Sequence, residues 1–338
     1  MEAGPNGGIL GVGMAVPERI LTNADLERMV DTSDEWIVTR TGIRERRVAG
    51  PDDTATTLGT LAARRALADA NIAAEELDLV ICATTTGDYL FPATACLIQH
   101  ALGAHRAAAF DLAAACSGFV FALDAASLFI RAGRYRYVLV VGVDTLTRFV
   151  NWADRSTCVL FGDGAAAAIL GPCPREEGIL ATSLGTDGAG AELIYIPAGG
   201  AKMPADAHVL AQKLNTIAMK GPEVFKFAVK IMGEAALDAL QKAGLRSQDV
   251  DLFIPHQANI RIIDAAAKRM GLGPGKVFVN VDRYGNTSAA SIGIALREAL
   301  DRGLVRRGSV LVFVGFGAGL TWGANVIRWN REEEQSAQ

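Results

Sequence analysis

The stretch LADANIAAEELDLVI (residues 67–81) decides the fold, because the stretch LQKAGLRSQDVDLFI (residues 240–254) aligns with it without a gap. Each copy reads as the end of an amphipathic helix, a short polar turn and a strand led by a hydrophobic-Asp-Leu motif. Chance similarity is the alternative, since helices followed by apolar strands resemble one another in any α/β protein. The gapless match favours an internal duplication.

The elements that follow the two copies keep the same order. Each copy is followed by a second strand, a turn of small residues and a long Ala-rich helix. A further buried strand then follows, at residues 137–142 in the first case and 310–315 in the second. Two half-chains of alternating strands and helices predict an α/β fold built from two fused units.

The duplication predicts where the halves begin and end. We place an N-terminal half at residues 1–180, a C-terminal half at 181–330 and a frayed tail at 331–338. The stretch 185–223 is rich in Gly, Ala and Pro. We expect it to cross between the halves as a loop over a site rather than as a disordered tether.

The composition is that of a compact globular protein and excludes several functional classes. Half of the 338 residues are apolar and 21 % are charged. The net charge of −4, without a basic run among aromatics, gives no reason to expect a nucleic-acid partner. The first residues lack the regions of a secretory signal, and no apolar stretch reaches membrane-spanning length. We therefore expect a cytoplasmic protein that does not enter the membrane.

The cysteines point to a reduced protein rather than to a metal or disulfide framework. The chain has five cysteines, an odd number, and none forms a CxxC pair. This pattern predicts neither a zinc site nor disulfides. Cys82, Cys96 and Cys158 lie in apolar surroundings and are interpreted as core residues.

Cys116 in AAACSGF (residues 113–119) is the candidate nucleophile. It lies between the run 107–112, which we predict to be a buried strand, and an amphipathic helix from Ser117 that ends near Gly133. A thiol at the start of a helix faces the positive end of the helix dipole, which is expected to lower its pKa. A buried structural cysteine is the alternative.

Two more polar residues follow strands in the second half. His256 comes after the apolar run 250–255, and Asn286 lies in the turn that matches the turn of Cys116. Each taken singly has a structural explanation. In a pseudo-symmetric fold, however, matching strand ends converge between the halves, so all three side chains are expected in one cleft as a nucleophile and two hydrogen-bond donors. The glycine-rich turn at 315–319 suits an oxyanion hole.

Four motifs together carry a clear resemblance to a known family. The motifs are AACSG (114–118), PHQAN (255–259), GNTSAAS (285–291) and TSDEWIVTRTGIRER (32–46). The chain is similar in these motifs to β-ketoacyl-acyl carrier protein synthase III, and the similarity runs from about Gly8 to Trp329. The resemblance implies the thiolase fold, in which duplicated α/β halves form a layered αβαβα architecture.

The resemblance also implies a reaction. Cys116 would take an acyl group from an acyl-coenzyme A primer, expected to be acetyl-coenzyme A. The acyl-Cys would then condense with malonyl-acyl carrier protein, with loss of carbon dioxide, to begin type II fatty acid synthesis. His256 and Asn286 would hold the enolate oxygen, and the backbone N–H groups of Cys116 and Ala318 would form the oxyanion hole. No cofactor and no metal are implied, because the coenzyme A thioester is a substrate.

The same resemblance assigns residues to binding. Those implied to bind coenzyme A are Thr32, Trp36, Arg40, Arg155, Phe225 and Lys226, with Trp36 stacking on adenine and Arg40 acting by charge. The acyl pocket would contain Phe316 and Phe91, the latter closing it across a homodimer interface and so favouring a short primer.

A third set of residues would face the acidic carrier protein. The residues implied are Arg261, Lys268 and Arg269, on the helix after His256. An ordinary solvated face is the alternative for Lys268 and Arg269.

Several other readings are weaker. Degradative thiolases need a second cysteine near the last glycine turn, and residues 315–323 contain none. Elongating condensing enzymes carry a histidine where Asn286 stands, and plant-type polyketide synthases are typically longer. Papain-like hydrolases share the order Cys, His, Asn, but their CGSCW signature is missing. A non-catalytic binding protein of the same fold would not need the three polar residues. A relative that uses another primer in a specialised pathway remains open.

Overall fold

A computed structural model describes residues 5–332 of the chain. The strands of this part are, in chain order, β1 (Asn6–Ala15), β2 (Ile20–Thr22), β3 (Glu45–Arg47), β4 (Leu79–Ala83), β5 (Ala108–Leu112), β6 (Val138–Asp144), β7 (Gly164–Cys173), β8 (Gly178–Thr186), β9 (Ile194–Tyr195), β10 (Ala218–Met219), β11 (Leu252–Pro255), β12 (Val310–Gly317) and β13 (Thr321–Arg328). Its helices are α1 (Asn23–Glu27), α2 (Asp34–Thr41), α3 (Ala55–Ala70), α4 (Thr94–Leu102), α5 (Gly118–Arg131), α6 (Arg155–Cys158), α7 (Ala207–Ala211), α8 (Gly221–Lys242), α9 (Ile260–Met270), α10 (Val281–Tyr284) and α11 (Ser291–Asp301).

Two sheets repeat one strand order. The first runs β1-β7-β6-β4-β5 and the second runs β8-β13-β12-β11. In each sheet the strand of the repeated stretch is parallel to its inner neighbour, β4 to β6 and β11 to β12. The next pairs, β6 with β7 and β12 with β13, are antiparallel. The place of β5 is taken in the second sheet by a single bridge between Phe253 and Val277. This common order confirms the predicted duplication.

The helices and sheets form five layers. Helices α3 and α4 cover the outer face of the first sheet, and α8 with α9 covers the outer face of the second. Between the sheets lie α5 and α11, each of which contacts strands of both. The layered αβαβα architecture is therefore confirmed, and the two central helices begin at the turns of Cys116 and Asn286.

Most side chains of the central layer are buried and apolar because both of its faces are covered by a sheet. Phe119, Leu123 and Ala126 of α5 have no solvent exposure, as expected for a helix inside a core. Helix α11 must also approach strand β7 closely. A Cβ atom on Gly293 of α11 would lie 2.4 Å from the Cβ of Ala166 in β7. The start of α11 is thus packed closely against β7.

Some predicted elements differ from the structure. The strand predicted as buried, β5, is an edge strand that is largely open to solvent, with Phe110 37 % exposed. Helix α5 begins one residue later than predicted, at Gly118, after a 3-10 turn. Cys96 lies on an exposed face of α4 rather than in the core.

The predicted boundaries also shift. The division at residue 180 falls inside β8, which pairs with β13 of the second sheet. In the predicted tail 331–338, Arg331 forms an ion pair with Asp69, which is packing rather than fraying. Residues 333–338 lie outside the described part. No helix within residues 5–332 is long and apolar enough to cross a membrane.

Candidate active site

Matching turns open the two central helices. Ala115 and Ser288 both have left-handed backbone, with φ of +45° and +50°, which is uncommon for residues with a side chain. Each begins a 3-10 turn that leads into α5 or α11. The position equivalent to Cys116 is therefore Ala289, and Asn286 lies three residues before it. The duplicated fold thus presents one reactive group from each turn.

The glycines of β12 make room for the Cys116 turn. A Cβ atom on Gly317 would lie 2.6 Å from the backbone nitrogen of Cys116, and one on Gly315 would lie 3.2 Å from its carbonyl oxygen. The turn is also held by the Thr321 hydroxyl, which donates to the Ala114 carbonyl over 2.9 Å. The last glycine-rich turn, predicted to approach substrate, therefore also positions Cys116.

Cys116, His256 and Asn286 line one cavity of about 430 Å³, so the predicted convergence is confirmed. The wall of the cavity runs outward past Phe225 to Trp36. A second cavity of about 270 Å³ opens on another side of Cys116, with Ala318 in its wall. Cys116 thus lies between a long channel and a smaller pocket.

His256 is buried and neutral. Its ring is 1 % exposed, and this burial lowers its pKa to about 3. Its backbone N–H donates to the Val314 carbonyl over 2.7 Å, which ties the end of β11 to β12. Nδ1 lies 2.6 Å from the Ser291 hydroxyl, whereas Nε2 has no partner among the described residues. Nε2 is therefore the ring atom left for a ligand.

Asn286 is oriented by three backbone contacts. Its N–H donates to the Leu160 carbonyl over 2.8 Å, and its own carbonyl accepts from the Gly162 N–H over 3.0 Å. The side-chain Oδ1 accepts from the Ser288 N–H over 2.9 Å. Because the oxygen of the amide is occupied, Nδ2 is the end that remains for a ligand.

Burial determines the protonation state of Cys116. The thiol is withdrawn from water, which raises its pKa to about 12, and the charge of Asp144 adds to the rise while the Ser288 side chain hydrogen-bonds the thiol and opposes it. The prediction of a lowered pKa is wrong for the free protein. A helix terminus offers about half a charge, and loss of hydration of a thiolate outweighs it.

The long motif at 32–46 builds the mouth of the channel. Ser33 caps α2, and Trp36 and Arg40 on that helix line the cavity. Arg40 and Arg155 both stack on the Trp36 ring, at 4.9 and 5.0 Å from its centre. Thr32, by contrast, is absent from the cavity wall, and its buried hydroxyl has no partner among the described residues.

Of the other predicted binding residues, some line the channel and others lie on the protein surface. Phe225 lines the channel, and Arg261 stacks on its ring at 4.9 Å. Lys226 is exposed and does not line the cavity, which corrects its predicted place in the tunnel. Lys268 is exposed, whereas Arg269 forms an ion pair with Glu234 over 2.7 Å and is already partnered.

The two residues predicted for the acyl pocket differ strongly in solvent exposure. Phe316 is buried, lines the 430 Å³ cavity rather than the second one, and packs edge-on against His256, with 5.7 Å between ring centres. Phe91 is 86 % exposed and lines neither cavity. The apolar wall of the second cavity comes instead from Leu146, Phe161, Ile194, Ile196 and Ile217.

Sequence reasoning missed that wall, because apolar residues in turns and at strand ends cannot be told from core residues by their sequence pattern. The stretch 185–223 covers the site as predicted, since Ile194 and Met219 line the cavities. It does not cross between the halves, because β8 before it and α8 after it both pack in the second half. Sequence reasoning also passed over Ser288 and Ser291, although both stand in the quoted motif 285–291.

Among residues 5–332 no group of His, Cys, Asp and Glu is arranged to hold a metal ion.

A buried network supports the His256 loop from behind. Gln257 donates to the Pro255 carbonyl over 2.8 Å and accepts from the Asn280 N–H over 2.9 Å. The Asn280 amide donates to Glu298 over 3.0 Å, and Arg283 pairs with the same carboxylate. The PHQAN motif is therefore partly structural, with Gln257 as its anchor.

Comparison with known proteins shows a consistent family. Residues 110–188 match the family model described as 3-oxoacyl-[acyl-carrier-protein (ACP)] synthase III, and residues 240–329 match the model of its C-terminal part. The β-ketoacyl-[acyl-carrier-protein] synthase III of Symbiobacterium thermophilum is 58 % identical over 324 residues, which cover 96 % of this chain and 98 % of that protein.

Solved structures agree with the sequence relatives. The crystal structure of 3-oxoacyl-[acyl-carrier-protein] synthase III from Aquifex aeolicus VF5 has a TM-score of 0.89 at 49 % identity, covering 96 % of this chain and 100 % of that one. The priming β-ketosynthase from the R1128 polyketide biosynthetic pathway has a TM-score of 0.89 at 36 % identity, covering 99 % of both chains.

Proposed function

The chain belongs to the β-ketoacyl-[acyl-carrier-protein] synthase III family, and on that premise we propose that it condenses an acyl-coenzyme A primer with malonyl-acyl carrier protein. The reaction loses carbon dioxide and yields a 3-oxoacyl-acyl carrier protein, which begins fatty acid synthesis. One observation carries the proposal: a buried thiol shares a cavity with an unpartnered imidazole nitrogen and an oriented amide.

The first step is acyl transfer to Cys116. The sulfur attacks the thioester carbonyl, and the C–S bond to coenzyme A breaks, with the thiol proton passing to the departing coenzyme A sulfur. A thiol with a pKa near 12 is protonated at neutral pH, so the proton leaves as the new bond forms. Cys116 and Ala318 both line the second cavity, and their backbone N–H groups would hold the oxyanion.

The second step is condensation. The malonyl group loses carbon dioxide, and the released electron pair forms an enolate whose oxygen accepts hydrogen bonds from His256 Nε2 and Asn286 Nδ2. The enolate carbon then attacks the acyl-Cys carbonyl, and the C–S bond to Cys116 breaks. The thiolate takes a proton from water, and the thiol is restored. Neutral donors suit this step, because they stabilise the new negative charge without giving up a proton.

We propose that coenzyme A enters past Trp36. The indole is already stacked with two guanidinium groups, and Arg155 is further held by the Asp31 carbonyl over 2.9 Å. Adenine stacking on this ring therefore requires Arg155 or Arg40 to move aside. A Trp36→Ala variant should raise the KM for acyl-coenzyme A and leave turnover at saturation nearly unchanged.

We propose a short primer. The second cavity is a small, mainly apolar pocket next to Cys116, which suits a short straight or branched chain better than an octanoyl group. Phe91 could close such a pocket only in a second copy of the chain, since it is exposed here. A panel of acyl-coenzyme A substrates of graded length and branching, assayed with malonyl-acyl carrier protein, tests this point.

We also propose that the protein acts as a homodimer in the cytoplasm. The edge strand β5 leaves backbone groups without a neighbouring strand, and a nearby apolar group is exposed, with Leu90 and Phe91 both 86 % open. Such an edge favours pairing with a second copy. Sedimentation of the wild type and of a Phe110→Asp variant tests this, since a monomeric wild type contradicts it.

Carrier-protein docking is assigned to the face around Arg261. Arg261 lies at the wall of the channel, and Lys268 is exposed on the same helix. Because Arg269 is already paired with Glu234, Arg261→Glu should raise the KM for malonyl-acyl carrier protein more than Arg269→Glu. Equal effects would contradict this division.

The function as a whole is tested by following both steps. Mass spectrometry after mixing with acetyl-coenzyme A should show one acetyl group, on Cys116, and malonyl-acyl carrier protein should then give product and carbon dioxide. Cys116→Ser should lose both the acetyl adduct and the formation of product, while its melting temperature stays close to that of the wild type. An adduct on another cysteine, or acylation without extension, would contradict the proposal.

A further inference from the structure

Ser291 holds His256 from the side away from the cavity. Ser291 is the first residue of α11, and its hydroxyl lies 2.6 Å from His256 Nδ1. Both side chains are 1 % exposed, so water does not compete for this contact. The effect of Ser291 on the His256 ring concerns the condensation step of the proposed function, and the inference rests on that function.

The surroundings decide where the proton of this contact lies. Ser291 Oγ also accepts the Gln257 N–H, at 3.4 Å. Among the contacts of residues 5–332, the Ser291 hydroxyl hydrogen has no acceptor except His256 Nδ1. If Nδ1 carried the ring hydrogen, the hydroxyl hydrogen would be buried without an acceptor, which is costly. The hydroxyl therefore donates to Nδ1, and the neutral ring carries its hydrogen on Nε2.

The opposite ring atom is the one that faces the ligand. Nε2 is buried, has no partner among the described residues, and belongs to a side chain that lines the cavity with Cys116 and Asn286. Burial also keeps the ring neutral, since it lowers the pKa of His256 to about 3. A neutral ring with hydrogen on Nε2 donates into the cavity, whereas the other tautomer would accept there and could act as a base.

We propose that Ser291 is a positioning residue that keeps His256 in the Nε2–H tautomer. It thereby makes the imidazole a hydrogen-bond donor to the enolate oxygen and prevents it from serving as the base for Cys116. The amide of Asn286 is held as a donor in the same way by the Ser288 N–H. Both donors are thus oriented by the turn that opens α11.

The test compares the wild type with Ser291→Ala. Nitrogen NMR of protein labelled with ¹⁵N-histidine reports which ring nitrogen of His256 carries hydrogen, and His256→Ala identifies its signals. We expect the Nε2–H pattern in the wild type and a shift toward Nδ1–H in Ser291→Ala. Carbon dioxide release should fall at least about tenfold, with the roughly 10²- to 10³-fold loss of a whole donor as the ceiling.

Three controls separate positioning from general damage. Ser291→Thr keeps a hydroxyl and should restore the tautomer and most of the rate. Ser127→Ala changes a serine that is buried in α5 and whose hydroxyl has no partner among the described residues, so both steps should be unaffected. Ser291→Ala added to His256→Ala should cause no further loss, because Ser291 acts through the ring.

Each adverse result has a distinct meaning. A wild-type ring with hydrogen on Nδ1 overturns the inference even if no Ser291 variant folds. So does an unchanged tautomer in Ser291→Ala, or an equal loss of acyl transfer and carbon dioxide release. A wild type that shows the Nε2–H tautomer but never extends an acyl group would instead contradict the proposed function.

Discussion

Burial determines the charge state of both titratable groups that face the substrate. It raises the pKa of Cys116 and lowers that of His256, so that both are neutral at physiological pH. Neutrality has opposite consequences for the two residues. The thiol must lose its proton as it reacts, while the imidazole is ready to donate a hydrogen bond. The two steps of the reaction should therefore respond differently to pH and to substitution.

The raised pKa of Cys116 predicts how its alkylation depends on pH. Below its pKa the thiolate fraction of a thiol grows tenfold per pH unit, so alkylation by iodoacetamide should rise about a hundredfold between about pH 7 and 9 without levelling off. Mass spectrometry of the Cys116 peptide measures this. The peptide of the exposed Cys96 in the same digests gives the internal comparison. A plateau below about pH 9 would mean that the helix terminus outweighs burial after all.

His256→Ala should separate the two steps. A neutral donor is not needed to form acetyl-Cys116, so the adduct should form at a modestly reduced rate, while carbon dioxide release should fall by roughly 10²- to 10³-fold. Asn286→Ala should behave likewise, and the double variant should not multiply the losses, because both donors serve one oxygen. Equal loss of both steps in His256→Ala would identify the ring as the base for Cys116.

At the scale of elements, the site depends on how closely β12 approaches the start of α5. The two glycines on that strand lie against the backbone of the Cys116 turn, whose preceding residue has left-handed backbone. Cys116 is thus placed by contact between two elements that are far apart in the sequence. A single methyl group between them should disturb the site.

Gly317→Ala provides that methyl group. Its Cβ would lie 2.6 Å from the Cys116 nitrogen and 3.0 Å from the Ala115 Cβ, so strand or turn must shift, at a cost of about 1–3 kcal/mol. We expect slower acyl transfer and a lower melting temperature. Gly275→Ala is the matched control, because no atom lies within 4 Å of its added Cβ. Full activity in Gly317→Ala would show that the turn tolerates displacement.

At the scale of the whole molecule, one carboxylate joins the two halves. Asp69 at the end of α3 accepts the Val12 N–H over 2.8 Å and pairs with Arg297 of α11 and with Arg331 beyond β13. Burial alone would raise the pKa of Asp69, but its hydrogen bonds to Arg331 and Val12 and the charges of both arginines lower it overall. The ionised form is therefore bound more tightly in the folded state.

Asp69→Asn should destabilise the fold in a pH-dependent way. Because the folded pKa is lower than the unfolded one, the stabilisation is complete above the unfolded pKa, near 3.9, and is lost as pH falls through the folded pKa. Urea unfolding at neutral pH should show a loss of about 3 kcal/mol, and the difference should shrink only below about pH 4.

Asp301→Asn is the control for this prediction. It removes another carboxylate that pairs with Arg297, but its side chain is 58 % exposed, so its cost should stay below about 1 kcal/mol. Equal losses in the two variants would show that Asp69 does not join the halves.

Local patterns in the sequence sufficed for the architecture and for the reactive groups. The repeat at 67–81 and 240–254 predicted two similar halves, since helix and strand periodicities record which face of each element is buried. Cys116 and His256 follow strands, and Asn286 lies in the turn that matches the turn of Cys116, although a short helix rather than a strand precedes it. A duplicated fold has few places where such positions meet. Their convergence therefore followed from topology.

The protonation states and the hydrogen-bond partners of the site residues could not be predicted in this way. The pKa of Cys116 depends on how much water the whole fold removes, and the Ser291–His256 contact joins residues 35 positions apart. The exposure of β5 and Phe91 likewise depends on what covers an edge, and no pattern within the strand records that. Periodicity specifies faces and spacing, whereas desolvation and hydrogen-bond partners arise only when distant segments pack together.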